Sequence, residues 1–209
     1  MRSTINTFEK TLCTRRAAAI FFLWVACIPA SPADAWHQFG NQDAYWHHGS
    51  GWIFPRHIGP FELVRSPYQI DGNDDVGAEY EMMVDGVRRT AEVAIYYPNS
   101  AAAGAKLSTA KAAIQSGANQ GKSALESEGK LAIRQRPDIV GVQVLYSSRG
   151  DAGGVDRGLY FFQASNWIVT IRTTTEAADT HAARAMHEFV QAQRWDTLGT
   201  DSGRYHDEH

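Results

Sequence analysis

Asp85-Gly86 stands between two runs, Ala78–Val84 and Val87–Tyr97, and constrains the chain more than any other dipeptide in it. Both central positions of a type I′ turn need positive φ, which Asp-Gly adopts at low steric cost, so an antiparallel hairpin is expected here. Ala91, Val93, Ile95 and Tyr97 alternate with Thr90, Glu92, Ala94 and Tyr96, the period of a half-buried strand, and Pro98-Asn99-Ser100 ends the run. A second hairpin is predicted where Ser165-Asn166 separates Gly158–Ala164 from Trp167–Thr174. Phe61–Arg65 and Val140–Ser147 read as further strands, with Pro67 restricting the first to an edge or an early end. Asp71–Gly77 and Arg149–Gly154 read as loops.

Two helices are expected between and after these strands. Ala101–Glu128 is alanine-rich, and Leu107, Ala110, Ile114, Ala118, Gly121 and Leu125 recur at three and four to give one apolar face. Thr173-x-x-Glu176 has the form of a capping box, predicting a helix from there to about Arg194 with Ala178, Ala182, Ala185, Met186, Phe189 and Val190 on its apolar side. Hairpins separated by single helices predict an α+β fold: an antiparallel sheet of two hairpin groups with two main helices packed on it. Residues 36–58 lack period 2 or 3.6 and read as an irregular aromatic and histidine-rich lead-in with room for a short edge strand, 59–195 as the domain, and 196–209 as a flexible polar tail.

The N-terminus reads as an export signal. Arg2, Lys10, Arg15 and Arg16 precede the uncharged apolar run Ala17–Ile28, and Ala33-Asp34-Ala35 forms an A-x-A cleavage pattern, so Trp36 is the expected mature start. Twelve apolar residues in a helix cover about 18 Å, short of a ~30 Å hydrocarbon core, which favours a cleaved signal over a permanent anchor. Arg15-Arg16 lacks the remainder of a twin-arginine motif, and Trp24 before Cys27 departs from a lipidation motif. Cys13 and Cys27 both lie in the segment expected to leave. The mature chain would then have no disulfide, thiolate metal site or cysteine nucleophile. Cleavage would take the formal charge from -3 to -5, which gives no global pull toward nucleic acid.

The hairpin and strand segments GPFELV, GAEYEMMVDGVRRTAEVAIYYP and GLYFFQASNWIVTIRTT, with the final helix, resemble the Mog1/PsbP-like α/β/α sandwich over about residues 52–195. They are also similar to a group of uncharacterised bacterial exported proteins. The resemblance implies a sheet covered by helices and an accessory or binding role; individual partners do not transfer, because fold does not imply function.

Motifs for chemistry are incomplete. Gly117–Ser123 is one residue shorter than a phosphate loop and does not follow an apolar strand. Asp71, Asn73 and Asp75 match the first three positions of a calcium loop, but Val76 replaces the turn glycine and Met82 stands where a bidentate glutamate is needed. His47 and His48 are adjacent and cannot easily meet one ion; a transition-metal site would need a third ligand, with His37 and His57 nearest in sequence. His206 and His209 add imidazoles in the tail, and His181 and His187, six apart, fall on different helical faces. No metal or cofactor is therefore expected. G-x-S-x-G, H-E-x-x-H and G-x-G-x-x-G are absent from the sequence. Trp46 and Trp52 are the aromatic residues expected to rim a binding groove for a small ligand or partner. These features together predict a non-enzymatic binding or accessory protein of the cell envelope, periplasmic or secreted; the alternative is a small periplasmic hydrolase with a carboxylate or histidine site.

Overall fold

Alternation and turn chemistry produce long strands that pair with their sequence neighbours. In the computed structural model, which describes residues 36–39, 43–70, 75–97, 102–117, 123–150, 153–176 and 180–199, β7 (Val76–Val84) and β8 (Val87–Tyr96) form the Asp85-Gly86 hairpin. Asp85 and Gly86 take φ of 51° and 76°, the left-handed pair that a type I′ turn requires. β11 (Gly153–Ala164) and β12 (Trp167–Thr175) form the second hairpin, with Ser165 at φ 52° and Ala164 opposite Trp167. β12 also pairs antiparallel with β8, Val169 opposite Ile95, which joins the two hairpins edge to edge.

The sheet extends beyond both hairpins. β4 (His57–Ile58) and β5 (Phe61–Leu63) continue it past β7, and β6 (Tyr68–Gln69) pairs β7 separately. β10 (Arg136–Gly150) and β9 (Ser123–Ile133) continue it past β11, giving nine described strands in one antiparallel sheet. A separate small sheet is built from β1 (Trp36–Phe39), β2 (Ala44–His47) and β3 (Ile53–Pro55). The described residues all lie in the compact unit Ser31–His209.

This overturns the expected α+β architecture. The described chain is mainly antiparallel β, and its two helices each cover a patch of one face instead of forming full layers over two hairpin groups. α1 (Ala102–Gly117) sets Leu107, Ala110 and Ile114 against Val144, Tyr146 and Leu159. α2 (Thr180–Gln191) buries Met186, Phe189 and Val190 on the other face, against a core that includes Tyr80, Val93, Tyr160 and Ile171.

Three local expectations are corrected with it. The helix predicted to reach Glu128 ends at Gly117, and Leu125, placed on its apolar face, sits on β9 and is 53% exposed. Ala, Leu, Glu and Lys favour a helix in this segment, but backbone pairing with β10 overrides that preference. Thr173 does not cap a helix: β12 runs on to Thr175, Thr173 and Thr175 are buried, and the Glu176 amide donates to the Arg88 carbonyl. The polar tail is folded at its start. Leu198 is buried, and the Gly199 amide donates to the Ser50 carbonyl at 2.9 Å.

The lead-in likewise forms strands where no period was visible, since β1, β2 and β3 have only four, four and three residues. The expected signal segment 1–35, with its cleavage residue Ala35, lies outside the described residues; Trp36 opens β1. No helix among the described residues is long and apolar enough to cross a membrane.

Candidate functional site

Successive side chains of a strand point to opposite faces, so the polar alternates of β7, β8, β12 and β11 collect on the face that α1 covers only in part. Two cross-strand rows result. Glu81, Thr90, Thr174 and Arg157 stand opposite one another in turn, and beside them Glu79, Glu92, Arg172 and Leu159. Four strands at ~4.8 Å spacing make this floor about 14 Å wide. Ala113 and Ile114 of α1 and Val64 beyond β5 add apolar edges, and together these groups line a cleft of about 410 Å³. That volume is within the range of small-molecule sites.

Glu79 faces Glu92 directly, an unfavourable pairing unless each carboxylate is compensated. Both are. Arg65 donates to Glu79 at 2.7 Å, while Arg172 at 2.9 Å and the Tyr68 hydroxyl at 3.1 Å donate to Glu92. Arg88 donates to Glu81 at 2.7 Å, and this carboxylate raises the Arg88 pKa. Arg65 also lies 4.5 Å over the Tyr68 ring. The Tyr68 phenol is pushed up to about 12, first by burial and then by the adjacent Glu92 charge, so it stays a neutral donor. The cleft thus presents guanidinium donors, carboxylate acceptors and two threonine hydroxyls in a fixed array beside an apolar edge. That chemistry suits holding a polar ligand; each of the three carboxylates is already charge-paired.

The residues singled out from sequence lie elsewhere. Trp52 is fully buried, 5.1 Å from Trp195 in an edge-on contact, so it is a core residue and not a groove rim. Trp46 is also buried, its ring 4.2 Å from that of His48. His47 is buried edge-on to Trp167, and its Nδ1 lies 2.8 Å from Ser50 Oγ. Ser50 Oγ in turn accepts the Trp52 amide, so this hydroxyl–imidazole pair closes the β2–β3 loop inside the fold rather than facing a substrate. His57 is exposed on β4.

Asp75 is buried with both carboxylate oxygens engaged, Oδ1 by the Tyr97 amide at 2.9 Å and Oδ2 by Lys106 at 3.3 Å. Asp71 and Asn73, the other members of the calcium pattern, lie outside the described residues, as do His206 and His209; His37 lies on β1. Among the described residues no group of three His, Cys, Asp or Glu side chains is placed to hold a metal ion.

The cleft was readable only in part. Glu79 and Glu81 alternate on β7, as do Arg88, Thr90 and Glu92 on β8, so a polar face was present in each strand. That Arg157 of β11 and Arg172 of β12 join the same face follows from β12 pairing with β8 and β11 pairing with β12.

No protein-family model and no curated protein matches the chain. Among solved structures it is similar to PA94 from Pseudomonas aeruginosa, a protein of unknown function, at 14% identity and a TM-score of 0.41 over 64% of this chain and 95% of that one.

Proposed function

We propose that this protein is an exported, non-enzymatic binding module of the cell envelope, with its ligand held in the cleft over β7, β8, β12 and β11. One observation carries the reading of the site: three carboxylates in a cleft of ligand size, Glu79, Glu81 and Glu92, each bonded to a guanidinium. Each carboxylate is engaged by a guanidinium, so drawing one into proton transfer would first break an ion pair. The same pairs make good recognition elements, because ionised donors and acceptors form the stronger hydrogen bonds. Export is supported by the basic start, the apolar run and Ala33-Asp34-Ala35.

The test sets binding against catalysis. A thermal-shift screen of small polar ligands should find compounds that stabilise the protein, with Arg172→Ala abolishing the shift while the protein still folds. A parallel screen with hydrolase substrates should give no turnover. Turnover lost on substituting Glu81 or Glu92 would establish the hydrolase instead, and mass spectrometry of the exported form should find Trp36 at its N-terminus.

A further inference from the structure

The last strand of the large sheet is unusually long for an unprotected edge. β9 runs eleven residues, pairs β10 on one side, and has no described strand on the other. Residues 124–130 are exposed, and α1 reaches this stretch through Lys111, which donates to Glu128. An edge of this kind offers a row of unpaired amides and carbonyls, and proteins usually deter self-pairing there with charged side chains, bulges or shortness. One such device is present: Glu126 has no partner between Leu125, opposite Tyr146, and Ser127, opposite Leu145, and forms a bulge.

Beyond the bulge the charges are arranged the other way. Glu128 and Lys130 flank Gly129 and stand opposite Val144 and Val142, so both lie on the α1 face of the sheet. Two copies of this segment, antiparallel about a twofold axis at Gly129, would set each Glu128 opposite Lys130 of the partner subunit. Ser127 would then face Leu131 of the partner subunit, and the centre would be free of side chains, a Cβ at Gly129 having nothing within 4 Å. Like charges would meet in a repelling edge; here opposite charges meet twice. Lys111 of α1 donates to Glu128 Oε1 at 2.6 Å, which fixes that side chain on this face and shares its charge with Lys130 of the partner subunit.

We propose that β9 pairs with β9 of a second copy of this chain, centred on Gly129, to give one continuous sheet across two subunits. Five residues from each strand, 127–131, make the matched segment, so the contact belongs to the small, weak class and association is concentration-dependent.

Sedimentation equilibrium of the chain as the cell produces it, over a wide concentration range, tests this. The wild type should show a monomer–dimer equilibrium. Lys130→Glu and Glu128→Lys each turn both attractive pairs repulsive and should raise the dimer dissociation constant about tenfold or more. An equimolar mixture of the two variants should recover a heterodimer near the wild-type affinity, since every pair is again opposite in charge. Thermal melts of each variant check folding, and Lys130→Glu disturbs no ion pair among the described residues. A wild type that stays monomeric at about 1 mM, a dimer indifferent to both variants, or no recovery on mixing would each overturn the proposal.

Discussion

Lys106 reaches from the first turns of α1 to Asp75 at the start of β7, its ammonium 3.3 Å from the carboxylate and 3.7 Å from the centre of the Tyr96 ring. The contact fastens a helix with a small apolar face to the sheet it covers, at the end away from Ile114. Asp75 is more than a surface partner, because it also accepts the Tyr97 amide just after β8.

Asp75→Ala removes both bonds from a buried site and leaves a donor without its acceptor. The expected cost is about 1–3 kcal/mol of stability, measured by urea unfolding. Calcium added to the wild type should leave the melting point unchanged, because binding at Asp75 would have to displace Lys106. A rise of several degrees in calcium, lost in Asp75→Ala, would restore the calcium-loop reading.

Gly141 on β10 marks a close approach. A Cβ there would collide with the Phe161 carbonyl oxygen and with Phe162 Cδ1, and the backbone oxygen has little room to give. Gly141→Ala should therefore cost about 1–3 kcal/mol, as overpacking in a filled core does. Gly129→Ala on the neighbouring strand meets open space and serves as the control, with a near-wild-type melting point.

Trp195 tests the segment that leads from α2 into the tail. Its ring contacts Trp52 and Phe162 at 5.1 and 4.7 Å, and its Nε1 donates to the Val190 carbonyl at 2.8 Å. Trp195→Ala should destabilise the protein by about 3–5 kcal/mol, the range for large aromatic residues in cores. Calorimetry showing a loss under 1 kcal/mol would mean the segment is dispensable.

Alkaline pH should unfold the protein through its tyrosines. Burial pushes Tyr160 up to about 12, and burial with Glu92 does the same to Tyr68; Tyr80, whose hydroxyl donates to the Pro55 carbonyl, is raised by burial as well. A tyrosine in the unfolded chain ionises near 10. The stability held by these neutral phenols is complete below about pH 10 and is lost as pH rises from there through about 12. The part of the tyrosinate absorbance that belongs to Tyr68, Tyr80 and Tyr160 should appear late and together with the loss of near-ultraviolet circular dichroism. Ordinary titration near 10 with the fold intact would contradict the burial of these rings. At the acid end, Arg136, Arg134 and Arg194 lower the carboxyls of Asp138, Glu188 and Asp196, so their support is present above about pH 4 and fades as pH falls further. These pairs are exposed or nearly so, and the acid effect should be the smaller one.

Both hairpins were legible along the chain, because a turn of two residues and an alternation of period 2 are local: Asp85-Gly86 and the Ala91–Ile95 alternates needed no distant partner to be read. So was the apolar side of each helix, at Leu107, Ala110 and Ile114 and at Met186, Phe189 and Val190. The tertiary structure alone decided that 123–133 is a strand, since residues with helical preference pair there with β10. It decided too that Thr173 continues a strand instead of capping a helix, and that Trp52 is core, facing Trp195 from the far end of the chain. The cleft is of the same kind. Its glutamates and arginines come from strands distant in sequence, and only the β8–β12 pairing sets Glu92 against Arg172, because side-chain chemistry can be read residue by residue while register is a property of two segments at once.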